Sequence, residues 1–490
     1  FDKFVKTVDP KSVTLVFPTA HISSPASMFG HTFIRIDSSY ESKMLSSAIN
    51  YSASANQDTE NGFAFAIKGL FGGYSGQYSL LPYYDKLKEY RDKDQRDIWE
   101  YQLNLNSNEI MQMIRHIWEL KDTRSDYYFF DENCAYNMLW LLEVAREGLN
   151  LRSHFIYHVS PPETIFAMKE ENLISNTHYR ASKRTKILAY DRLLSDKNKR
   201  VVKKVLLTDI SSIDDKNISI QDKQHILEFA VELNENSFIN NKIKKDEYLS
   251  LSHQLLLKRS LLGEGKEVEI KEPNNPLKAH RGFKLTMQEK IKNGEESTLL
   301  GFRPVYHDMA DSDRGMIDGT EIKFLDFLFE VSDKSIEVES VDILKLSSLV
   351  NVSTFSKPFS WSARFAFDKN APDENLNFDS SVQIGFRKNI FDETNYFYYL
   401  VGFGTNEYDD WSAYATHKLG FTWSQNEFGK LNVELNQRKF TNGFLQFNTN
   451  MTQSFYLNQH IGIQFGYETK ERENWDRKDD IFRAVGNYYF

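Results

Sequence analysis

The chain has 490 residues, of which 40% are hydrophobic and 26% charged, with a formal net charge of −9. No run approaches the roughly 20 apolar residues that a membrane helix needs, so helical spanning is excluded. The acidic balance implies no basic face for nucleic acid. A membrane β-barrel stays open, because its strands hide their hydrophobicity by alternation. The aromatic content of 14%, with 37 Phe and 25 Tyr, suits the aromatic girdles of such a barrel.

Residues 1 to 160 read as a compact α+β domain. Ser12–Phe17, Thr32–Ile36 and Ala48–Tyr51 are strand-like. Four glycines between Gly69 and Gly76 imply a tight backbone rather than a regular element. No Gly-Lys-Ser/Thr follows them, so a phosphate loop is not expected. A helix is predicted to start near Asn106, with Glu109 completing a capping box. The segment around Cys134 predicts a second helix, with Asp131 as its N-cap, Ala135, Met138, Leu139 and Leu142 as its apolar stripe, and Gly148 as its stop.

Residues 161 to 278 are polar and helical in pattern and predict a helical bridging region. Pro161-Pro162 opens it and Glu272-Pro273-Asn274-Asn275-Pro276 closes it. The basic clusters Lys183-Arg184 and Lys199 to Lys204 read as a solvated face.

Residues 279 to 490 change character. Segments of roughly ten residues alternate apolar and polar, separated by turn residues. Val382, Ile384 and Phe386 face away from Gln383, Gly385 and Arg387; Ile461, Ile463 and Phe465 face away from Gly462, Gln464 and Gly466. A soluble barrel would satisfy the same alternation with its apolar face inward. The last segment separates the two: Phe482, Ala484, Gly486, Tyr488 and Phe490 alternate to an aromatic end, which resembles the terminal signal of bacterial outer-membrane barrels. The reading is a transmembrane antiparallel β-barrel of about 12 strands. The third and fourth strands alternate poorly, which leaves 10 or 14 open.

Cys134 is the single cysteine, so no internal disulfide forms. In an oxidising compartment a free thiol is either buried or used. Its place in the first turn of a helix favours the thiolate, and a thiol nucleophile needs a base. His31, at the start of a strand after Gly30, is the candidate, with His21 as the runner-up; His116 reads as packing. Asn50 is the candidate to orient the imidazole, with Asp37 as the alternative. The backbone N–H of Cys134 and its neighbours, helped by Asn133, is the candidate oxyanion hole. The histidines show no HxxxH or HxH pair, so no metal site and no cofactor are expected. The start at Phe1 reads as a processed chain, free of an export signal and, lacking an N-terminal Cys, not itself a lipoprotein.

Phe29-Gly30-His31-Thr32, the Gly69–Gly76 run, Pro82-Tyr83-Tyr84, Arg96 to Tyr101 and Glu132-Asn133-Cys134 occur in an order that resembles the Lnb-type (lipoprotein N-acyltransferase) periplasmic domain. The resemblance covers roughly residues 10 to 165. It implies a permuted papain-like, NlpC-like thiol fold in which the His strand precedes the Cys helix. It also implies Cys134 as nucleophile and His31 as base. The named acyltransferase is tied to the inner membrane by helices, whereas this chain carries a barrel. Thiol chemistry on an acyl group therefore carries over, and the lipoprotein role does not do so by itself. The expectation is a cysteine-dependent acyltransferase or acyl hydrolase, anchored in the outer membrane of a Gram-negative bacterium, with its N-terminal domain in the periplasm. It would act on phospholipid or lipoprotein acyl groups through a Cys134 thioester. The competing expectations are a cell-wall amidase or endopeptidase, and a non-catalytic barrel that docks a partner or transports.

Overall fold

The computed structural model describes residues 1–20, 30–53, 68–69, 72–128, 131–155, 158–207, 209–370, 375–407, 411–426, 428–472 and 477–490. His21, the Ser27–Phe29 part of the histidine motif, and Leu70, Phe71, Phe129 and Phe130 lie outside the described residues. The chain divides into two units, Phe1–Glu272 and Pro273–Phe490.

The first unit is built on an antiparallel sheet of seven strands: β1 (Ser12–Pro18), β2 (Phe33–Asp37), β3 (Ser47–Ala53), β4 (Tyr74–Pro82), β5 (Ile98–Leu103), β6 (Ser125–Tyr127) and β7 (Ile174–Arg180). Their spatial order is β6-β4-β3-β2-β1-β5-β7. Every residue of β2 is buried. This central position explains why its sequence reads as a continuous apolar run broken only by Arg35 and the terminal Asp37. Arg35 is neutralised in place, 2.6 Å from Asp37 and 2.8 Å from Glu100.

The sheet runs past the boundary expected at residue 160. Strand β7 pairs along β5, placing Tyr179 opposite Trp99 and Thr177 opposite Tyr101. Its polar sequence, Ile-Ser-Asn-Thr-His-Tyr-Arg, suits an edge strand and hid it among helical patterns. The helices Lys183–Leu193, Asp196–Leu206, Ile220–Ile239 and Lys245–Ser260 follow within the same unit. Lys183, expected on a solvated face, is buried and lies 2.6 Å from Glu232. Among the described residues no helix is long and apolar enough to cross a membrane.

Two local expectations shift. Tyr74–Gly76, read as irregular, opens β4. Gly76 is needed there because the Tyr51 hydroxyl crosses it, and a Cβ would lie 2.1 Å from that oxygen. The Cys134–Ala145 helix is capped by Asn133 rather than Asp131, two residues later than expected. The Ser107–Glu119 helix does carry the full capping box of Asn106 and Glu109.

The second unit is a closed antiparallel barrel of twelve strands. In chain order its segments are β8 (Lys284–Lys292), β9 (Glu295–Arg303), the short β10 (Val305–His307), β11 (Thr320–Val331), β12 (Ile336–Ser348), β13 (Ser360–Asp368), β14 (Asn377–Asn389), β15 (Tyr396–Asn406), β16 (Ser412–Ser424), β17 (Gly429–Phe440), β18 (Leu445–Tyr456), β19 (Ile461–Arg472) and β20 (Arg477–Tyr489). Segment β10 continues β9 along the same partner, β11, and counts with it. The ring closes where β20 pairs with β8 and β9 with β11. The poor alternation of β11 and β12 has a local cause. Leu325 adopts a left-handed backbone (φ 52°), and the β11–β12 register slips at Leu328/Phe329. A one-residue slip sends the following side chains to the opposite face.

The faces decide the environment. Val382, Ile384 and Phe386 are 47%, 49% and 42% exposed, whereas Gln383 and Arg387 on the other face are 6% and 4% exposed. Inside, Arg364 meets Asp342 at 2.7 Å and Asp368 at 2.6 Å, and Lys290 meets Glu330 and Glu339 at 3.0 and 2.9 Å. A barrel that is apolar outside and charged inside belongs in lipid. Residues 308–319, between β10 and β11, turn into the lumen at the end where the chain enters. The Tyr456 hydroxyl and Asn432 amide donate to the carbonyls of Asp311 and Met309, each at 2.9 Å. A polar cavity of about 570 Å³ remains, lined by Lys290, Lys323, Asp342 and Arg364 among others.

Candidate active site

Cys134 is the first residue of the Cys134–Ala145 helix. The helix starts there because the Asn133 carboxamide oxygen accepts from the N–H groups of Ala135 (2.9 Å) and Tyr136 (3.2 Å). The Asn133 amide in turn donates to the Val159 carbonyl at 2.5 Å. Asn133, expected to help an oxyanion hole, is thus spent on fixing the helix start. The N–H groups of Ala135 and Tyr136 are spent with it. The first-turn N–H of Cys134 itself makes a long contact of 3.4 Å with the Tyr127 hydroxyl oxygen.

The helix packs against β2 and β3, which bring the other two expected residues to its N-terminus. His31 lies two residues before β2, and Asn50 lies in β3. The strands pair Ile34 with Ile49 and Arg35 with Ala48, so the register runs on from there toward His31 and Asn50. His31 Nε2 meets Asn50 Oδ1 at 2.7 Å. A carboxamide oxygen only accepts, so Nε2 carries the proton and Nδ1 remains to take one. Asp37, the alternative orienting residue, instead accepts from Arg35, Ser12 and Thr14.

Burial alone would push the Cys134 thiol up. The charge of the His31 imidazolium, hydrogen bonds from His31 and from the Thr32 backbone N–H, and the Tyr127 hydroxyl outweigh it, so the thiol sits below its ordinary value. Cys134 is 5% exposed. Burial, then the neighbouring thiolate charge, hold the Tyr127 hydroxyl well above its usual range, so it stays a hydrogen-bond donor at neutral pH. The His31 ring lies beside two aromatics, 5.5 Å from Tyr90 and 6.3 Å from Phe33 by centroid. The Arg96 guanidinium lies over Tyr90, 5.1 Å from its ring centroid. Tyr51 stacks on Tyr127 at 5.8 Å and tilts against Tyr78 at 4.8 Å. Tyr78 donates to the helix at Asn137 Oδ1.

The structure therefore brings Cys134, His31 and Asn50 together, and turns Asn133 and Asp37 to other work. Sequence reasoning missed the Thr32 N–H and the Tyr127 hydroxyl. A backbone donor leaves no residue signature, whereas Tyr127 stood seven residues before Cys134 with nothing to separate it from its neighbour Tyr128. His116 packs edge-on to Trp140, as expected of a packing residue.

Residues 1–170 match the family model of the Lnb N-terminal periplasmic domain. This Lnb-type region contains the whole candidate site. Residues 177–270 and 273–483 match two further family models, each described as a domain of unknown function. No curated protein matches the chain. Among solved structures the barrel is similar to the KdgM porin, at 11% identity and TM-score 0.27, covering 42% of this chain and 99% of that one. It is also similar to an outer membrane channel from Pseudomonas putida F1, at 11% identity and TM-score 0.27, covering 46% of this chain and 100% of the other. Omp33 of Acinetobacter baumannii aligns at 7% identity and TM-score 0.24, covering 44% of this chain and 100% of that one. The chain joins a periplasmic Lnb-type region to an outer-membrane β-barrel.

Proposed function

We propose that the protein is an outer-membrane-anchored thiol acyltransferase or acyl hydrolase acting on lipid or lipoprotein acyl groups. The observation that carries this reading is the Cys134–His31–Asn50 constellation, with its lowered thiol and its imidazole held by Asn50. The order of a His strand, an Asn strand and a Cys helix suits a permuted papain-like site.

His31 Nδ1 takes the Cys134 proton, and the thiolate attacks an ester carbonyl. The C–O bond breaks, and the alcohol leaves with the proton from His31. The acyl group stays on Cys134 as a thioester. An amine or water then attacks the thioester, gives its proton to His31, and releases the acyl product as the thiol reforms. Covalent continuity with an outer-membrane barrel tethers this chemistry to a membrane that contains phospholipid. The test is lysophospholipid release by the detergent-solubilised full chain. Release by wild type and its loss in Cys134→Ala support the proposal; equal release by the variant contradicts it.

The near-complete burial of Cys134 favours a second reading, in which the domain keeps the fold without turnover and the barrel docks a partner or transports. An amidase acting on cell-wall peptides would use the same pair on a C–N bond, and muropeptide profiles of cells with and without the protein separate it from the lipid reading.

A further inference from the structure

The barrel unit holds a second cluster that the thiol chemistry does not use. His280 precedes β8, His307 ends β10, and Asp311 lies in the inward-turned loop. All three are buried, at 4%, 1% and 0% exposure. One atom of each lies within 4.8 Å of the others.

One hydrogen bond fixes which nitrogen of His280 carries the proton. His280 Nδ1 lies 2.7 Å from the Arg281 carbonyl oxygen, which only accepts, so Nδ1 holds its proton. His307 Nε2 lies 3.4 Å from Asp313 Oδ1, within ion-pair range but without a hydrogen bond of its own. The two remaining nitrogens, His280 Nε2 and His307 Nδ1, face each other at 2.9 Å. When His307 carries its proton on Nε2, beside Asp313, the inner pair presents two lone pairs to one another. That arrangement needs a positive centre between them. Two imidazole nitrogens bound about 2.0–2.1 Å from one ion, at a right angle or somewhat wider, stand roughly 2.9–3.3 Å apart. The His280 Nδ1–H donating to a carbonyl oxygen is also the usual second-shell pattern of a metal-bound histidine. Asp311 Oδ2, 3.8 Å from His280 Nε2, supplies a carboxylate for a third position.

Around the three residues, carboxylates and cations are matched in number. Arg303 and Lys284 face Asp311 at 2.7 and 3.6 Å, and Asp308 takes up both. Asp313, shared with Lys430 at 2.8 Å, adds negative charge beside His307. Tyr489, from the last strand, donates to Asp311 Oδ1 at 2.7 Å.

We propose that His280, His307 and Asp311 bind a divalent first-row transition-metal ion, which staples the inward loop to the seam where the first and last strands meet. Two imidazoles and a carboxylate suit zinc, nickel, copper or cobalt rather than magnesium or calcium. The sequence hid the site because its histidines stand 27 residues apart and no short motif joins them.

The test uses the full chain, without a polyhistidine tag, in detergent, stripped with chelator and titrated with Co²⁺. The proposal expects a visible d–d absorption band that saturates at about one ion per chain. The band is lost in His280→Gln and in His307→Gln, is shifted in Asp311→Asn, and is unchanged in His253→Gln, which alters an exposed helical residue. Heat-modifiable gel mobility shows whether each variant still forms its barrel. No band in the wild type overturns the proposal and leaves a shared proton between the rings. A band that persists in the folded His280→Gln/His307→Gln double variant overturns it equally.

Discussion

The 2.7 Å contact between His31 Nε2 and Asn50 Oδ1 decides how the candidate site is wired. It fixes the tautomer, turns Nδ1 toward the helix start, and leaves a proton acceptor for the only thiol in the chain. Removing the Asn50 amide frees the ring to rotate. A hydrogen bond to a charged group contributes about 1.5–3 kcal/mol, which corresponds to roughly 10- to 100-fold in rate. Asn50→Ala is expected to slow iodoacetamide alkylation of Cys134 by that factor at neutral pH, with circular dichroism unchanged. An unchanged rate would place Asn50 outside the site.

The thiol titration follows from its surroundings. Wild-type alkylation is expected to show a midpoint below the free-thiol value of about 8.5, because His31 and the hydrogen bonds outweigh burial. In His31→Ala burial loses its main opponent, so the midpoint should rise above about 8.5. Tyr127→Phe removes a single donor and should move the midpoint up by less. Alkylation rate against pH checks the order wild type, Tyr127→Phe, His31→Ala.

Glu100 is buried between Arg35 and Arg180 and accepts from the Tyr83 hydroxyl at 2.5 Å. Burial pushes its carboxyl up, but Arg35 and Arg180 prevail and hold it below the ordinary value. A lowered carboxylate stabilises the fold above its unfolded value of about 4.3 and loses that contribution as pH falls through the folded value. Glu100→Gln leaves Arg35 and Arg180 short of a partner. It is expected to cost about 3–5 kcal/mol at neutral pH and to flatten the loss of stability on acidification. Denaturant melts at pH 7 and at pH 3 measure both effects.

On the barrel, Ile384→Arg places a charge on the apolar exterior and is expected to cost about 2–4 kcal/mol if it lies near the membrane midplane. Gln383→Ser, on the inner face, should be nearly neutral. Urea unfolding in lipid vesicles distinguishes them. A greater cost for Gln383→Ser than for Ile384→Arg would contradict this assignment of the faces.

The barrel was largely legible because alternation is a local signal: the alternating runs read at Val382–Phe386 and Ile461–Phe465 lie in β14 and β19. Alternation failed at β11 and β12 because the register slip at Leu328/Phe329 moves side chains between faces without changing composition. Cys134 and His31 were legible from their helix-start and strand-start settings. Asn50 needed the pairing of β2 with β3, which the sequence only hints at. Strand β7 was lost because an edge strand need not be apolar. The work done by Asn133 could not be read because one carboxamide serves equally as helix cap or oxyanion donor, and only the position of Val159 separates the two.

The central claim is that Cys134 accepts an acyl group. Intact-mass analysis of the full chain after incubation with phospholipid vesicles, quenched at acid pH to preserve a thioester, tests it most directly. The account predicts a mass increase equal to one fatty acyl group. That increase should be removed by neutral hydroxylamine and absent from Cys134→Ala. No adduct on the wild type across a time course, or an adduct that persists in Cys134→Ala, would contradict it.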